Sequence, residues 1–547
     1  MKSSFAIVSD FVYRHSFSIL LILFVLWTCI GIFPLQCYET DGQEIILGCD
    51  IMYHEGWSLP PVYSYEYRMQ PLITILIVGI KHLMPFLTCE QIYCILTAIA
   101  SLVFLLGCII FTRHITKASH TKVLLAAMLL PEMYAIAMYP NTAILSAACL
   151  IWAMVLTTQK RYWLSVLLMA IAPLFRLDTV IVYPLILPLF YYEGKSLKQS
   201  IIFSAIYGLG VVVIALLLFR LVEADALATY GSYQKWNNII TPLERILAIW
   251  GFYSLAYFLL LPLGLYVIVS QKKWKELFLV LFPILLLHSI YASFGNASKH
   301  FLYIAPFVII IGVRALSWLK DVLQNRPVLK WAGIIMTLLF LTISVRKQNL
   351  TMPWLKENPL HQAGLVVPLF ETQRGNSEIQ VGIGAGYQII TNDEDMLGSG
   401  HLFYSWYIHC IKRIIGGWRE QQKAMLDTVP TSNILTFEWG ASAPIALEYM
   451  SDGCHFHQQE NLPEEYYFTI SSPQRDLHFW RIVLPEAITD KQQLVSYIDS
   501  LSTMFLDGDR YIIAASNHYG TSPFLDDLAK TGIIEKKTEK LYKIINR

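Results

Sequence analysis

The chain has 547 residues, 55% of them hydrophobic and 15% charged, with a mean hydropathy of +0.49. Soluble globules carry about a quarter of their residues as charged side chains, so this composition excludes an ordinary soluble globule and indicates a polytopic α-helical membrane protein. The formal net charge of +1 conceals a separation: basic residues cluster in short loops, acidic ones gather in residues 37–70 and toward the C-terminus, and neither points to nucleic acid.

In chain order, "MKSSFAIVSDFVYRH" lacks a small-residue cleavage site after a short apolar core, and 16–35 is about long enough to span a bilayer. A retained first helix is expected, not a signal peptide. Further apolar segments lie at about 71–87, 91–112, 123–138, 141–158, 162–175, 179–192, 200–221, 246–270, 276–292, 301–317 and 330–346. The basic loops between them, "RHITKASHTK" (113–122), "QKR" (159–161), "EGKSLK" (193–198), "QKKWK" (271–275) and "KDVLQNRPVLK" (320–330), should share the cytoplasmic side. They can do so only if 71–87, which opens at Pro71 and is interrupted by Lys81 and His82, lies along the outer interface or re-enters without crossing. About eleven crossings then remain, with the N-terminus cytoplasmic. Residues 36–90, 138–142, 173–179, 222–245, 294–300 and everything after 346 fall on the outer side, periplasmic or extracellular.

From about residue 347 the composition becomes that of a soluble domain. "EIQVGIGAG", "SNILTFEW", "LHFWRIVL", "DRYIIAAS" and "KLYKIINR" read as strands, and "EQQKAMLDTV", "KQQLVSYIDSLSTMFL" and "PFLDDLAKTG" as helical connections. The expected organisation is a multi-span domain over 1–346, with its first outer loop at 36–90, and an outer-side α/β domain over 347–547. The spacing of Cys37 and Cys49 admits a disulfide without requiring one.

The first outer loop, "YETDGQEIILGCDIMYHEGW", carries five carboxylates directly after the first span. Asp41 and Glu44 are three apart and share a face on a helix beginning after Thr40, while Ile45, Cys49 and Met52 keep helical spacing. Such a helix lies on the membrane surface with its carboxylates near the headgroups. Acidic residues at this position also fit plain solvation of an outer loop. Polar groups near bilayer depth are expensive, so several converging on one face suggest a site.

Downstream, "GWSLPPVYSYEYRMQPLITILI" combines Gly56, Trp57, a proline pair, three tyrosines and Arg68, and closes on Gln70-Pro71-Leu72. Here the sequence resembles the C-type (GT-C) glycosyltransferases, integral membrane enzymes that include protein O-mannosyltransferases and the lipid A aminoarabinose transferase. In that superfamily an acidic motif opens the first outer loop, a Gly-Asp/Glu-Trp-like turn follows, and a Lys-Pro-Pro-Leu-like segment closes it. Asp41 matches the loop aspartate, Gly56-Trp57 the turn and Gln70-Pro71-Leu72 the closing motif. Two departures stand out: the acidic pair is Asp41-Gly42, flanked by Glu39 and Glu44, and the lysine before the prolines is Gln70.

The resemblance implies inverting transfer of a sugar from a polyprenyl-phosphate donor to an acceptor on a lipid, glycan or protein, in the cell envelope. Asp41 or Glu44 would take the acceptor proton. Cations would hold the donor phosphate, and the candidates are Arg68, Arg176 of "PLFRLDT", and Lys299 and His300 of "GNASKHFLYIAPF", which resembles a basic-aromatic entrance found in mannosyltransferases. Asn141 of "MYPNT" stands where relatives often have an aspartate, and it also reads as helix punctuation. Arg176 and Lys299 each equally fit a helix-end or snorkelling residue.

Asp41, Glu44 and His54 are compatible with a divalent cation, which the sequence leaves open. "GIGAG" lacks the full G-x-G-x-x-G, so no nucleotide cofactor is expected. "CHFHQQE" has no second ligand pair at zinc spacing, and "TNDEDMLGSGH" reads as a solvated loop. The competing functions are a transporter or flippase for a lipid-linked glycan, against which the lack of two similar halves speaks, and a polysaccharide polymerase or ligase, which differs mainly in acceptor.

Overall fold

A computed structural model describes residues 15–32, 35–37, 40–56, 70–130, 133, 140–222, 255–291, 302–323, 343–349, 366–374, 377–384, 424, 427–430, 432–436, 455–457, 469–471, 477–481, 492, 496, 509–513, 525–526, 528–530, 532, 534–538 and 541–545. The chain forms two compact units, one of Met1–Gln36, Met69–Ile73 and Cys94–His409, the other of Cys37–Arg68, Thr74–Tyr93 and Cys410–Arg547.

The described helices are α1 (Ser16–Ile32), α2 (Thr40–Glu55), α3 (Pro71–Leu83), α4 (Cys89–Thr116), α5 (His120–Met128), α6 (Thr142–Thr158), α7 (Tyr162–Phe175), α8 (Ile186–Tyr192), α9 (Leu197–Leu221), α10 (Leu255–Ser270), α11 (Trp274–Tyr291) and α12 (Ala305–Leu323); a 3₁₀ segment, Leu177–Leu185, joins α7 to α8. Among the described residues, α4 and α9, with 28 and 25 residues, are long and apolar enough to cross a bilayer unaided. α3 has 13 residues, a rise of about 20 Å against a hydrocarbon core of about 30 Å.

The basic loops are helix stops as well as charged segments. Lys117, Lys160 and Lys272 adopt positive φ of 59°, 61° and 54°, directly after α4 or at the second residue past α6 and α10. Bonds that reach back five residues, Arg161 N to Leu156 O at 2.9 Å, Lys195 N to Phe190 O at 3.3 Å and Lys273 N to Ile268 O at 3.1 Å, tie off the last carbonyls of α6, α8 and α10. A lysine there also meets the negative end of the helix dipole. At the other end of the α8–α9 turn, Ser196 and Gln199 form a reciprocal capping box that starts α9.

In the first unit α6 packs on α7, α7 and α8 on α9, α8 on α11, and α12 on α5, α10 and α11. The first nine residues of α12, 305–313, are buried. Its contact with α10 is at backbone range, because a Cβ on Gly264 would stand 2.2 Å from the Ile311 carbonyl oxygen. Small residues at such crossings let helices approach where no hydrophobic effect drives them together.

The 123–138 run begins inside α5, which Leu129 caps, and most of its residues past 130 lie outside the described ones. The expected segments need two corrections. The first part of the 179–192 run, to residue 185, belongs to the 3₁₀ segment Leu177–Leu185, where Pro184 withholds a donor from the α ladder. The end of the 330–346 run is strand, β1 (Ile343–Asn349), antiparallel to β3 (Ser377–Gly384), which pairs with β2 (Val366–Arg374) in the order β1-β3-β2.

In the second unit, β4 (Ser432–Thr436), β7 (Leu477–Arg481), β8 (Asp509–Ile513), β9 (Ile534–Lys536) and β10 (Leu541–Ile544) build a sheet in the order β7-β4-β8-β10-β9, with β5 (His455–His457) and β6 (Thr469–Ser471) as a separate pair. β7, β4 and β8 run parallel, which demands crossover connections, and β10 and β9 extend the sheet antiparallel. Each stretch expected as a strand contains one. Ile434, Leu435, Ile512, Ile513, Leu541 and Tyr542 fill the sheet's buried positions.

Candidate active site

The second unit holds the acidic helix. α2 begins at Thr40, so Asp41 and Glu44 fall in its first two turns, where the helix dipole favours carboxylates. The expected apolar face forms, with Ile45, Cys49 and Met52 all buried, joined by Ile46 and Leu47. The chain enters α2 on two hydrogen bonds: Cys37 N donates to Glu90 Oε1 at 2.6 Å, and Gln43 Nε2 donates to Cys37 O at 2.8 Å. Cys37 and Cys49 are both buried, and the disulfide between them that spacing admits is not formed. α2 ends at Gly56, whose φ of +93° makes it the turn residue of "GW" and whose N–H reaches Met52 O at 3.1 Å.

One carboxylate was not singled out by the sequence. Asp50 lies among the ends of α2, α3 and α4, and burial lifts its carboxyl from 3.8 to about 6, against a hydrogen bond from Cys89 and the charge of Lys81 and with added repulsion from Glu90. Lys81 Nζ donates to Pro85 O at 2.9 Å and Leu87 O at 2.6 Å and stands 5.2 Å from the Tyr53 ring centroid. His54 is exposed beside Tyr53, and among the described residues no group of three His, Cys, Asp or Glu side chains gathers for a metal ion.

The first unit holds the elements carrying Gln70, Asn141 and Arg176. Gln70 is buried and accepts a short hydrogen bond from the Thr142 hydroxyl, joining the closing motif of the first loop to the start of α6. Asn141, also buried, caps α6 by accepting from Ile144 N at 3.3 Å. One turn on, Ser146 Oγ meets the Tyr303 hydroxyl at 3.0 Å, and Tyr303 follows His300 by three residues. Leu72 packs on a buried cluster of Leu174, Leu177 and Phe219, the first two of which bracket Arg176. Arg176 is the half-buried joint between α7 and the 3₁₀ segment, its carbonyl accepting from Thr179 N at 3.1 Å. Gln70-Pro71-Leu72 therefore touches both the element carrying Asn141 and the one carrying Arg176. Arg68, Lys299 and His300 lie outside the described residues.

Sequence reading found these segments separately and missed the side chains that join them. Thr142, Ser146 and Tyr303 are ordinary residues of apolar helices until their partners are known; the signal available was a polar triad at 70, 142 and 146 inside hydrophobic runs.

The arrangement of these helices and sheets is a fold already seen in a solved structure. The chain is similar to ArnT from Cupriavidus metallidurans bound to undecaprenyl phosphate, with a TM-score of 0.55 and 11% identity over 96% of this chain and 97% of that one. It is similar to the apo state of the same protein at TM-score 0.54 with the same identity and coverage. The Archaeoglobus fulgidus oligosaccharyltransferase in complex with zinc and sulfate matches less of it, at TM-score 0.38 and 14% identity over 58% of this chain and 51% of that one. No protein-family model and no curated protein matches the chain.

Proposed function

We propose that the protein transfers a sugar from a polyprenyl-phosphate donor to an acceptor hydroxyl or similar nucleophile at the outer face of the membrane, with inversion. The observation that carries this reading is the convergence of Gln70-Pro71-Leu72 on the elements bearing Asn141 and Arg176, in a chain whose fold spans nearly all of ArnT. The ArnT structure contains undecaprenyl phosphate, which supports a polyprenyl phosphate as the donor's carrier. About eleven crossings, a cytoplasmic N-terminus and an outer C-terminal domain belong to the same proposal.

In this mechanism the acceptor oxygen attacks the anomeric carbon as the bond from that carbon to the phosphate oxygen breaks. The acceptor proton passes to Asp41, with Glu44 as its neighbour on α2, and the polyprenyl phosphate leaves as an anion. Phosphate is a good leaving group, so cations serve in place of a strong acid. Arg176 can hold two phosphate oxygens at once, and Lys299, His300 and Arg68 would add charge. Asn141 fixes the start of α6 beside the donor.

The test is turnover of polyprenyl-phosphate-linked sugars by full-length protein in proteoliposomes. Asp41→Asn, inserted normally, is expected to lose about 100-fold or more of the rate, and Arg176→Ala to raise KM for donor with a smaller change in kcat. Full activity in Asp41→Asn would move the base to Glu44, and unchanged donor dependence in Arg176→Ala and Lys299→Ala together would remove the clamp.

A further inference from the structure

The loop before α11 and the outer face of that helix form a feature the proposed reaction does not use. Trp274, Phe278, Leu281 and Leu285 recur at helical spacing along α11 and line an apolar groove of about 500 Å³, within the size range of small-ligand sites. Behind the groove-lining Phe278, Tyr191 of α8 stands with its ring edge-on at 5.8 Å. Trp274, which lines the groove and is 58% exposed, is flanked in sequence by three lysines in four positions, Lys272, Lys273 and Lys275. Lys275 Nζ lies 5.0 Å from the centroid of the Tyr191 ring, which itself packs on the groove-lining Phe278.

Two acids of this region are already engaged by other partners. Glu276 is 3% exposed and bound by Arg314 at 2.6 Å, and Glu193, after α8, is held by His114 at 2.8 Å. The other end-of-helix lysine of this region differs, because Lys195 Nζ sits 3.6 Å over the Phe203 ring on α9. The exposed face of α9, with Ile202, Ile206 and Leu209, is plain lipid-facing surface. At α11 an apolar groove, an interfacial tryptophan and exposed cations coincide.

We infer that this is a binding site for an anionic glycerophospholipid of the leaflet on the side of the basic loops, with one acyl chain in the groove along α11 and the phosphate at Lys272 and Lys275. A neutral lipid would fill the groove without using the lysines. Cations near an anionic headgroup each strengthen binding about fivefold, about thirtyfold for the two together, and basic pockets between membrane helices bind such headgroups. The site is independent of the transfer reaction and stands without it.

Native mass spectrometry of the purified full-length protein, in detergent with equal phosphatidylglycerol and phosphatidylcholine, tests this. The wild type is expected to retain phosphatidylglycerol in preference, the double variant Lys272→Gln/Lys275→Gln to lose that preference about thirtyfold, and Lys275→Arg to keep it. Leu281→Trp fills the groove and should abolish retention with every lysine intact. Leu285, 56% exposed, gives a second filling variant, Leu285→Trp, which decides the matter if Leu281→Trp fails to fold. Equal retention of the two lipids, undiminished phosphatidylglycerol in the double variant, undiminished retention in the filled variants, or a dimer that the filled variants dissociate would each overturn the assignment.

Discussion

Asp50 sits on a helix read as lying at the membrane surface, and its carboxyl is raised by burial from 3.8 to about 6. A native carboxyl that holds its proton more tightly than the unfolded one binds more protons between those values, so stability falls as pH rises from about 4 and the penalty is complete above about 6. Two pKa units correspond to about 3 kcal/mol. Asp50→Asn should therefore melt higher than wild type at pH 7.5 and close to it at pH 4, by thermal unfolding in detergent. A pH-independent difference would locate the effect elsewhere. Sequence pattern picked Asp41 because it lies before "GW" and "QPL", whereas Asp50 acquires its character from Cys89, Lys81 and Glu90, all at least 31 positions away. The Gln70–Thr142 bond was hidden for the same reason: both segments were legible, and their meeting depends on packing that no local pattern encodes.

At the scale of elements, one ion pair ties three helices. Arg314 of α12 forks onto Glu276 of α11, Nε to Oε1 at 2.6 Å and Nη2 to Oε2 at 2.8 Å, while its Nη1 reaches the Thr116 carbonyl at the end of α4 at 3.3 Å. Tyr192 donates to the neighbouring Ile115 carbonyl at 3.1 Å and brings the end of α8 to the same point. Removing one charge leaves the other buried, which costs about 3 to 5 kcal/mol, while replacing both with apolar residues of similar volume costs far less. Arg314→Met is expected to lower the melting temperature sharply, and Glu276→Met/Arg314→Met to recover most of the loss; a double variant as unstable as the single would assign the effect to lost packing. Helix positions were readable because hydrophobic runs and basic stops recur along the chain. The α-helical part of 179–192 was misjudged where Pro184 acts, and strands such as β5, β6 and β9, three residues each, were too short for alternation to register.

For the whole molecule, the basic loops that end α4, α6, α8 and α10 share one backbone device, a left-handed residue or a bond reaching back past it, and they share one sign of charge. The charge rule assigns them to one side, and that assignment holds only if α3 does not cross. Its length agrees, at about 20 Å, and so does its C-terminal end, where Lys81 is bound to the carbonyls of Pro85 and Leu87. An amphipathic helix tied down in this way is suited to an interface, and exposed Leu83 and Phe86 beyond it extend the apolar surface. The proposed topology then makes a single linked prediction. Fluorescent-protein fusions after residues 117, 160, 195 and 272 should all glow in the cytoplasm, and an alkaline phosphatase fused after residue 547 should be active outside. If α3 crosses, the side of all four loops inverts together relative to the N-terminus, so a mixed pattern would count against the shared-side argument and a uniformly inverted one against the interfacial placement of α3.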